Sequence, residues 1–177
     1  DAALYNSISA TDARKSLYIA PGSSEEFGEG GQAWTAPEYA NLKFRFVNDW
    51  LGDVVYMRVA EMYLTEAEAL ARGGHGAEAN TLMREFMSNR DEASTKTSFT
   101  ANDIYQQRRI ELWGEGFTYY DHLRLGIDLK RTYEGTNEPE TSQANIKAGS
   151  YRWIYQLPLT EIQNNEFISE SDQNPAQ

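Results

Sequence analysis

The sequence predicts a mainly α protein of paired antiparallel helices, carrying long loops and a few short strands. Three observations carry that prediction. First, Val54 to Arg72 places Val55, Val59, Met62, Tyr63, Ala67 and Leu70 at three- and four-residue spacing, the period of a helix face. A second apolar line, Tyr56, Ala60, Leu64, Ala67 and Ala71, makes the same helix apolar on more than one side, as for a helix packed between neighbours. Second, Gly73-Gly74-His75-Gly76 stops that helix, because glycine accepts left-handed backbone, and Ala77 to Arg90 returns with Ala79, Leu82, Met83 and Phe86 facing inward. A helix, turn and return helix of this length match a tetratricopeptide-type unit of roughly 34 residues, which cannot bury its apolar face alone. Third, Thr100 is placed as an N-cap with Asp103 in a capping-box position, and Ile104, Arg108, Leu112 and Gly116 share one face of the helix that follows. This opens a second hairpin.

The remaining elements follow in order. Residues 1–53 form a loop-rich region, with a short strand or turn at Ser16–Ile19 and a loop over Pro21–Gln32, where glycine and proline cluster. Ala33 to Pro37 is extended, since proline disfavours helix in the residue before it, and Leu42 to Val47 reads as a short strand. Irregular chain of this length is functional or flexible. The helical hairpins occupy 54–131, joined by a polar linker over 91–98, and Ile127 to Arg131 extends the last helix. In 132–177, Thr132–Ser150 is a surface loop and Tyr151–Leu157 a strand-like run stopped by Pro158. One or two helical turns at Thr160–Asn165 and a tail complete the chain, which is expected to form a single domain.

Composition narrows the functional classes. The 177 residues suffice for a domain with its own core, and the net charge of −11 argues against nucleic acid and anionic membrane surfaces, both of which reward clustered Lys and Arg. No cysteine is present, so disulfides, thiolate metal sites and a cysteine nucleophile are excluded. No apolar run reaches the length of a membrane span. The two histidines, His75 in the glycine turn and His122 beside Asp121, lack a second metal ligand at suitable spacing; the first is read as exposed and the second as packed. No G-x-S-x-G, phosphate-loop or calcium-loop pattern occurs, so no cofactor and no metal are expected.

The densest charged constellation is Arg108, Arg109, Glu111, Glu115, Asp121 and Arg124. Paired carboxylates could hydrolyse a glycan. Neighbouring arginines lower carboxylate pKa values, however, whereas a general acid needs a raised one. The set is therefore read as a structural ion-pair network locking the second hairpin, and the protein as not an enzyme. Aromatic side chains remain as binding candidates, since their faces stack on sugar rings. Trp113 and Trp153 are placed in core or interface. Trp34, in a loop beside Tyr39, is the leading stacking candidate, and Trp50, just ahead of the first helix, is the next.

AEMYLTEAEAL (60–70), QRRIELWGEG (107–116), DHLRLG (121–126), LPLTEI (157–162) and the late QNP (173–175), together with Asp12 and Arg14 in TDARKSLY, occur in an order that resembles the C-terminal part of the SusD/RagB family. Gln107 stands where that family usually has Glu. The resemblance implies a SusD-like tetratricopeptide platform with ligand-contacting loops, in a lipid-anchored protein on the outer face of the Bacteroidetes outer membrane. It also implies non-catalytic capture of a nutrient and delivery to a SusC-like TonB-dependent transporter. The ligand is expected to be an oligosaccharide, with an oligopeptide as alternative. The membrane would be reached only through an N-terminal lipid absent from this chain, which is therefore read as the C-terminal part of a larger protein. A tetratricopeptide-type scaffold for protein partners is the competing class.

Overall fold

The computed structural model describes residues 1–27, 34–45, 56–142 and 144–175. The chain packs as two compact units, Asp1–Glu115 and Gly116–Gln177, with the division inside the span of the helical hairpins.

The first unit begins with a helix that the loop-rich reading did not include, α1 (Ala2–Ser7). The Asp1 carboxylate caps it by accepting from the N–H groups of Ala3 and Leu4 at 3.0 and 3.3 Å. Leu4 and Ile8, four residues apart, are buried with Tyr18 and Ile110 in a small cluster that Tyr5 and Trp113 flank. A 3-10 turn, Ala13–Leu17, follows. The strand or turn expected at Ser16–Ile19 is thus a helical turn that ends in one bridge, Tyr18 to Asn41. The loop expected over Pro21–Gln32 contains a strand. β1 (Glu25–Phe27) pairs antiparallel with β2 (Trp34–Ala36), Phe27 opposite Trp34. The strand expected at Leu42–Val47 does not form over its described part: Lys43 and Phe44 lie in a turn closed by the Arg45 N–H to the Leu42 carbonyl at 3.0 Å. Phe46 and Val47 lie outside the described residues.

Helix α2 (Val59–Arg72) follows an extended Arg58, and α3 (Gly76–Ser88) returns after a turn in which Gly74 holds φ +86°, a conformation costly for any residue with a Cβ. α4 (Ala101–Glu111) starts at Thr100, whose capping box with Asp103 is complete in both directions. α2 packs on both α3 and α4. Of the two apolar lines on α2, the second is the buried one: Ala60, Leu64 and Ala67 join Met83, Phe86, Met87, Phe99 and Ile104 in the main core. On the first line Val59 is 71% and Met62 44% exposed, while Tyr63 only flanks the core, and Tyr56 at the head of the second is 95% exposed. The alanines allow close approach of two helices on one side, which decides which line is covered. Leu64, Met83 and Ile104 are fully enclosed, each contributing about 1.5–3 kcal/mol of hydrophobic stabilisation.

The second unit opens with α5 (Phe117–Leu125). The helical extension expected at Ile127–Arg131 is instead strand β3 (Leu129–Lys130), paired antiparallel with β4 (Asn145–Ile146) inside what reads as surface loop. Tyr151–Trp153 is a 3-10 turn capped by Ser150, not a strand. The chain beyond it is extended without a strand partner, because the tail supplies the missing hydrogen bonds from side chains. Gln173 accepts from the Leu157 N–H at 2.8 Å and donates to the Leu157 carbonyl at 3.0 Å, and Asn174 donates to the Tyr155 carbonyl at 2.7 Å. A short helix α6 (Leu159–Asn164) separates the two segments.

Two substitutions test this packing by denaturant unfolding. Leu64→Ala should cost about 2–5 kcal/mol through the cavity it opens. At Gly114, φ is +75° and an added Cβ would lie 2.6 Å from the Phe44 ring. Gly114→Ala should therefore destabilise by about 1 kcal/mol or more, and an unchanged midpoint would contradict the turn geometry.

Candidate functional site

Trp34 is 39% exposed on β2, its ring 5.0 Å from that of Phe27 across the ribbon. The Arg45 guanidinium lies over Phe27 at 5.1 Å. Tyr39 is elsewhere: it holds a positive φ of 62° and packs edge-on against Tyr5 at 5.5 Å. Thus Trp34 pairs with Phe27 and Tyr39 with Tyr5, in two separate ring contacts. Trp50 lies outside the described residues.

The charged constellation divides. Glu111, at the C-terminal end of α4 and 7% exposed, receives Arg14 at 3.2 Å, Arg58 at 3.0 Å and Arg90 at 3.1 Å. Glu115 pairs with Lys43 and, at 2.7 Å, with Arg58. Arg14 is itself aligned by Asp12, which takes its Nη2 at 2.6 Å, and by Gln107, which accepts from the same nitrogen. Arg108 reaches α2 instead, bonding Thr65 Oγ1 at 3.0 Å with Glu68 at 4.0 Å, and Arg109 meets Asp1 at 3.2 Å. Asp121 and Arg124 pair within α5 at 2.7 Å. The arginines beside the two glutamates in sequence therefore serve other partners, and cations from distant segments hold Glu111 and Glu115. Helical direction explains this: Arg108 shares its face with Ile104 and projects onto α2.

Electrostatics at Glu111 follow from that crowd of cations. Burial pushes its carboxyl up, but hydrogen bonds and charge from Arg90, then Arg14 and Arg58, outweigh it and hold the pKa at about 2. Glu115, also pushed up by burial, is lowered by Arg58 and Lys43. A general acid at neutral pH requires the opposite shift. Both carboxylates are held ionised in ion pairs.

A second arrangement lies wholly within the second unit. Thr118, Tyr119 and His122 on α5, Leu129 and Arg131 at β3, Ile146 on β4, and Arg152, Trp153 and Tyr155 line a pocket of about 360 Å³. Trp153 is its buried support, with its indole N–H on the Lys147 carbonyl at 2.9 Å and its ring stacked on His122 at 5.5 Å. His122 is fixed in turn by the Ile127 carbonyl at 3.1 Å from Nδ1. Tyr119 donates to the Trp153 carbonyl and faces Tyr155 at 5.6 Å; Tyr155 is 74% exposed. The result is an aromatic wall on a hydrogen-bonded base, with Arg131 and Arg152 in its lining. Tyr119 and Tyr155 were not among the residues singled out from the sequence. The available signal was the aromatic run Tyr151-Arg152-Trp153-Ile154-Tyr155, whose alternation reads as strand.

The helical pairing and its loops define a mainly α protein of tetratricopeptide-like type. The chain belongs to the SusD family, whose model matches residues 50–176. Among solved structures it is similar to a SusD-like carbohydrate binding protein from Bacteroides vulgatus ATCC 8482, at 22% identity and a TM-score of 0.64, the match covering 100% of this chain and 42% of the other. A SusD superfamily protein from the same organism is 21% identical with a TM-score of 0.68, over 94% of this chain and 36% of the other. The chain thus spans about two-fifths of the length of these relatives, and at such identity the likeness shows the fold. No curated protein matches the chain.

The Glu111 arrangement makes a signed prediction. Because its pKa is depressed from the ordinary 4.5 to about 2, its contribution is fully present above pH 4.5 and lost as pH falls towards 2. Urea unfolding across pH 2–7 should show that decline. Glu111→Ala should cost about 3–5 kcal/mol at pH 7, because it removes the carboxylate shared by buried Arg14 and half-buried Arg58 and Arg90, and should flatten the profile. A variant as stable as wild type would remove Glu111 from its structural role.

Proposed function

We propose that this chain is part of a cell-surface nutrient-binding protein that captures a glycan without chemical change. It would then pass the ligand to a SusC-like TonB-dependent outer-membrane transporter. The SusD family supplies the class of protein, and the aromatic pocket of the second unit supports the reading most directly. Its volume of about 360 Å³ falls at the lower end of small-molecule sites, which run to about 300–1,000 Å³. The exposed face of Tyr155 offers C–H/π stacking to a sugar ring, while the Thr118 hydroxyl and the guanidinium groups on the lining offer directional hydrogen bonds. Stacking of this kind is reversible, as delivery to a transporter requires. Trp34 with Phe27 forms a second stacking surface, on the first unit. In this reading the protein acts on the outer face of the outer membrane, held by a lipid on an N-terminal extension.

Isothermal titration of the full native protein against panels of oligosaccharides and oligopeptides tests this. A glycan should bind, and Tyr155→Ala should weaken it about tenfold. Weakening by Trp34→Ala with Tyr155→Ala silent would move the site to the β1–β2 ribbon. Binding of peptides alone would overturn the glycan reading.

A further inference from the structure

The pocket's polar chemistry is one-sided. Its described lining contains two arginines, a threonine and two tyrosines, an imidazole and a buried indole, and no Asp, Glu, Asn or Gln side chain among the described residues. Its charged groups are thus all cationic donors. Neutral sugar hydroxyls both donate and accept and are served by the hydroxyls and the imidazole, whereas the two arginines add positive charge that an anionic group uses most fully.

Its cations are also weakly engaged. Arg131 has a carboxylate, that of Glu138, only at 4.0 Å, and Arg152 makes no ion pair among the described residues. Several other guanidinium groups are closely matched: Arg14, Arg58 and Arg90 on Glu111, Arg72 on Glu68 at 2.7 Å, Arg124 on Asp121 at 2.7 Å. Both pocket arginines nevertheless have anchored backbones. The Arg131 N–H bonds Asn145 Oδ1 at 3.1 Å, and the Arg152 N–H bonds Ser150 Oγ at 3.3 Å. Two arginines in the lining beside an aromatic wall suit a carboxylate or sulfate group on a ring that stacks on that wall.

We infer that this pocket takes an anionic saccharide, a uronate or a sulfated sugar, with Arg131 and Arg152 gripping the acidic group and Tyr155 stacking on the ring. The inference rests on the glycan-capture reading and specifies its substrate class. The test is calorimetric titration of the full native protein with an oligogalacturonide, a sulfated galactan oligosaccharide and a neutral galactan oligosaccharide of equal length. It is run at low and high salt, in wild type, Arg131→Gln, Arg152→Gln and Tyr155→Ala, each checked for an unchanged melting temperature. An acidic ligand should bind about tenfold or more tighter than its neutral counterpart, and that preference should shrink in either arginine variant and at high salt. Tyr155→Ala should weaken acidic and neutral ligands alike. Which acidic ligand binds separates carboxylate from sulfate. Equal binding of neutral and acidic chains, or a preference indifferent to both arginines, overturns the inference and leaves glycan capture standing. Binding of no saccharide of either kind overturns both.

Discussion

Arg14, Arg58 and Arg90 converge on the Glu111 carboxylate from an N-terminal turn, the approach to α2 and the end of α3. A carboxylate buried to this degree requires compensation, and here compensation must come from parts of the chain far apart in sequence. The same locus fixes backbone as well as charge. Arg58 and Lys43 each donate to the Glu111 carbonyl at 2.8 Å, and Lys43 also reaches the Trp113 carbonyl at 3.3 Å. The irregular segments of the first unit are therefore ordered by side chains that satisfy the C-terminal carbonyls of α4, a role cations fill well at a helix end. Asp12 and Arg14 belong to this construction: Asp12 presets Arg14, and Arg14 ties the N-terminal turn to α4.

Within the second unit, polar satisfaction and aromatic packing do the work that a larger apolar core does in the first. Trp153 and Tyr119 each place a polar atom on a backbone carbonyl, which leaves their rings at fixed angles to His122 and Tyr155. Gln173 and Asn174 clamp the chain just beyond that wall, so the late QNP motif acts on the same segment that carries Tyr155. The proposed glycan capture rests on this hydrogen-bonded aromatic face and the two arginines in its lining.

Much of this was legible in the residues. The periodicity of α2 and α3, the glycine turn between them and the Thr100–Asp103 capping box are local features: each depends on residues within a few positions, and each is present as read. Local rules could not decide which apolar line of α2 is covered, since Val59–Met62 and Ala60–Leu64–Ala67 have the same period and only the approach of α3 and α4 chooses between them. Nor could they separate a strand from extended chain at Tyr155–Leu157, where the partners are side chains sixteen or more residues away.

The site shows the same division. Charge spacing suggests that Glu111 and Glu115 are ion-paired, because nearby cations lower a carboxylate pKa in general. The identity of those cations came from Arg14, Lys43, Arg58 and Arg90, between 21 and 97 residues distant from the glutamates they serve. Trp34 and Tyr39, close in sequence, turned out to pack on different rings, while Tyr119 and Tyr155, 36 positions apart, face each other. By itself the sequence determined the helices, their caps and the family pattern, since these rest on short-range sterics, hydrogen bonding and residue order. Only the tertiary structure decided which charges meet and which aromatics form a wall, because side-chain encounters between remote segments depend on how the chain is folded back on itself.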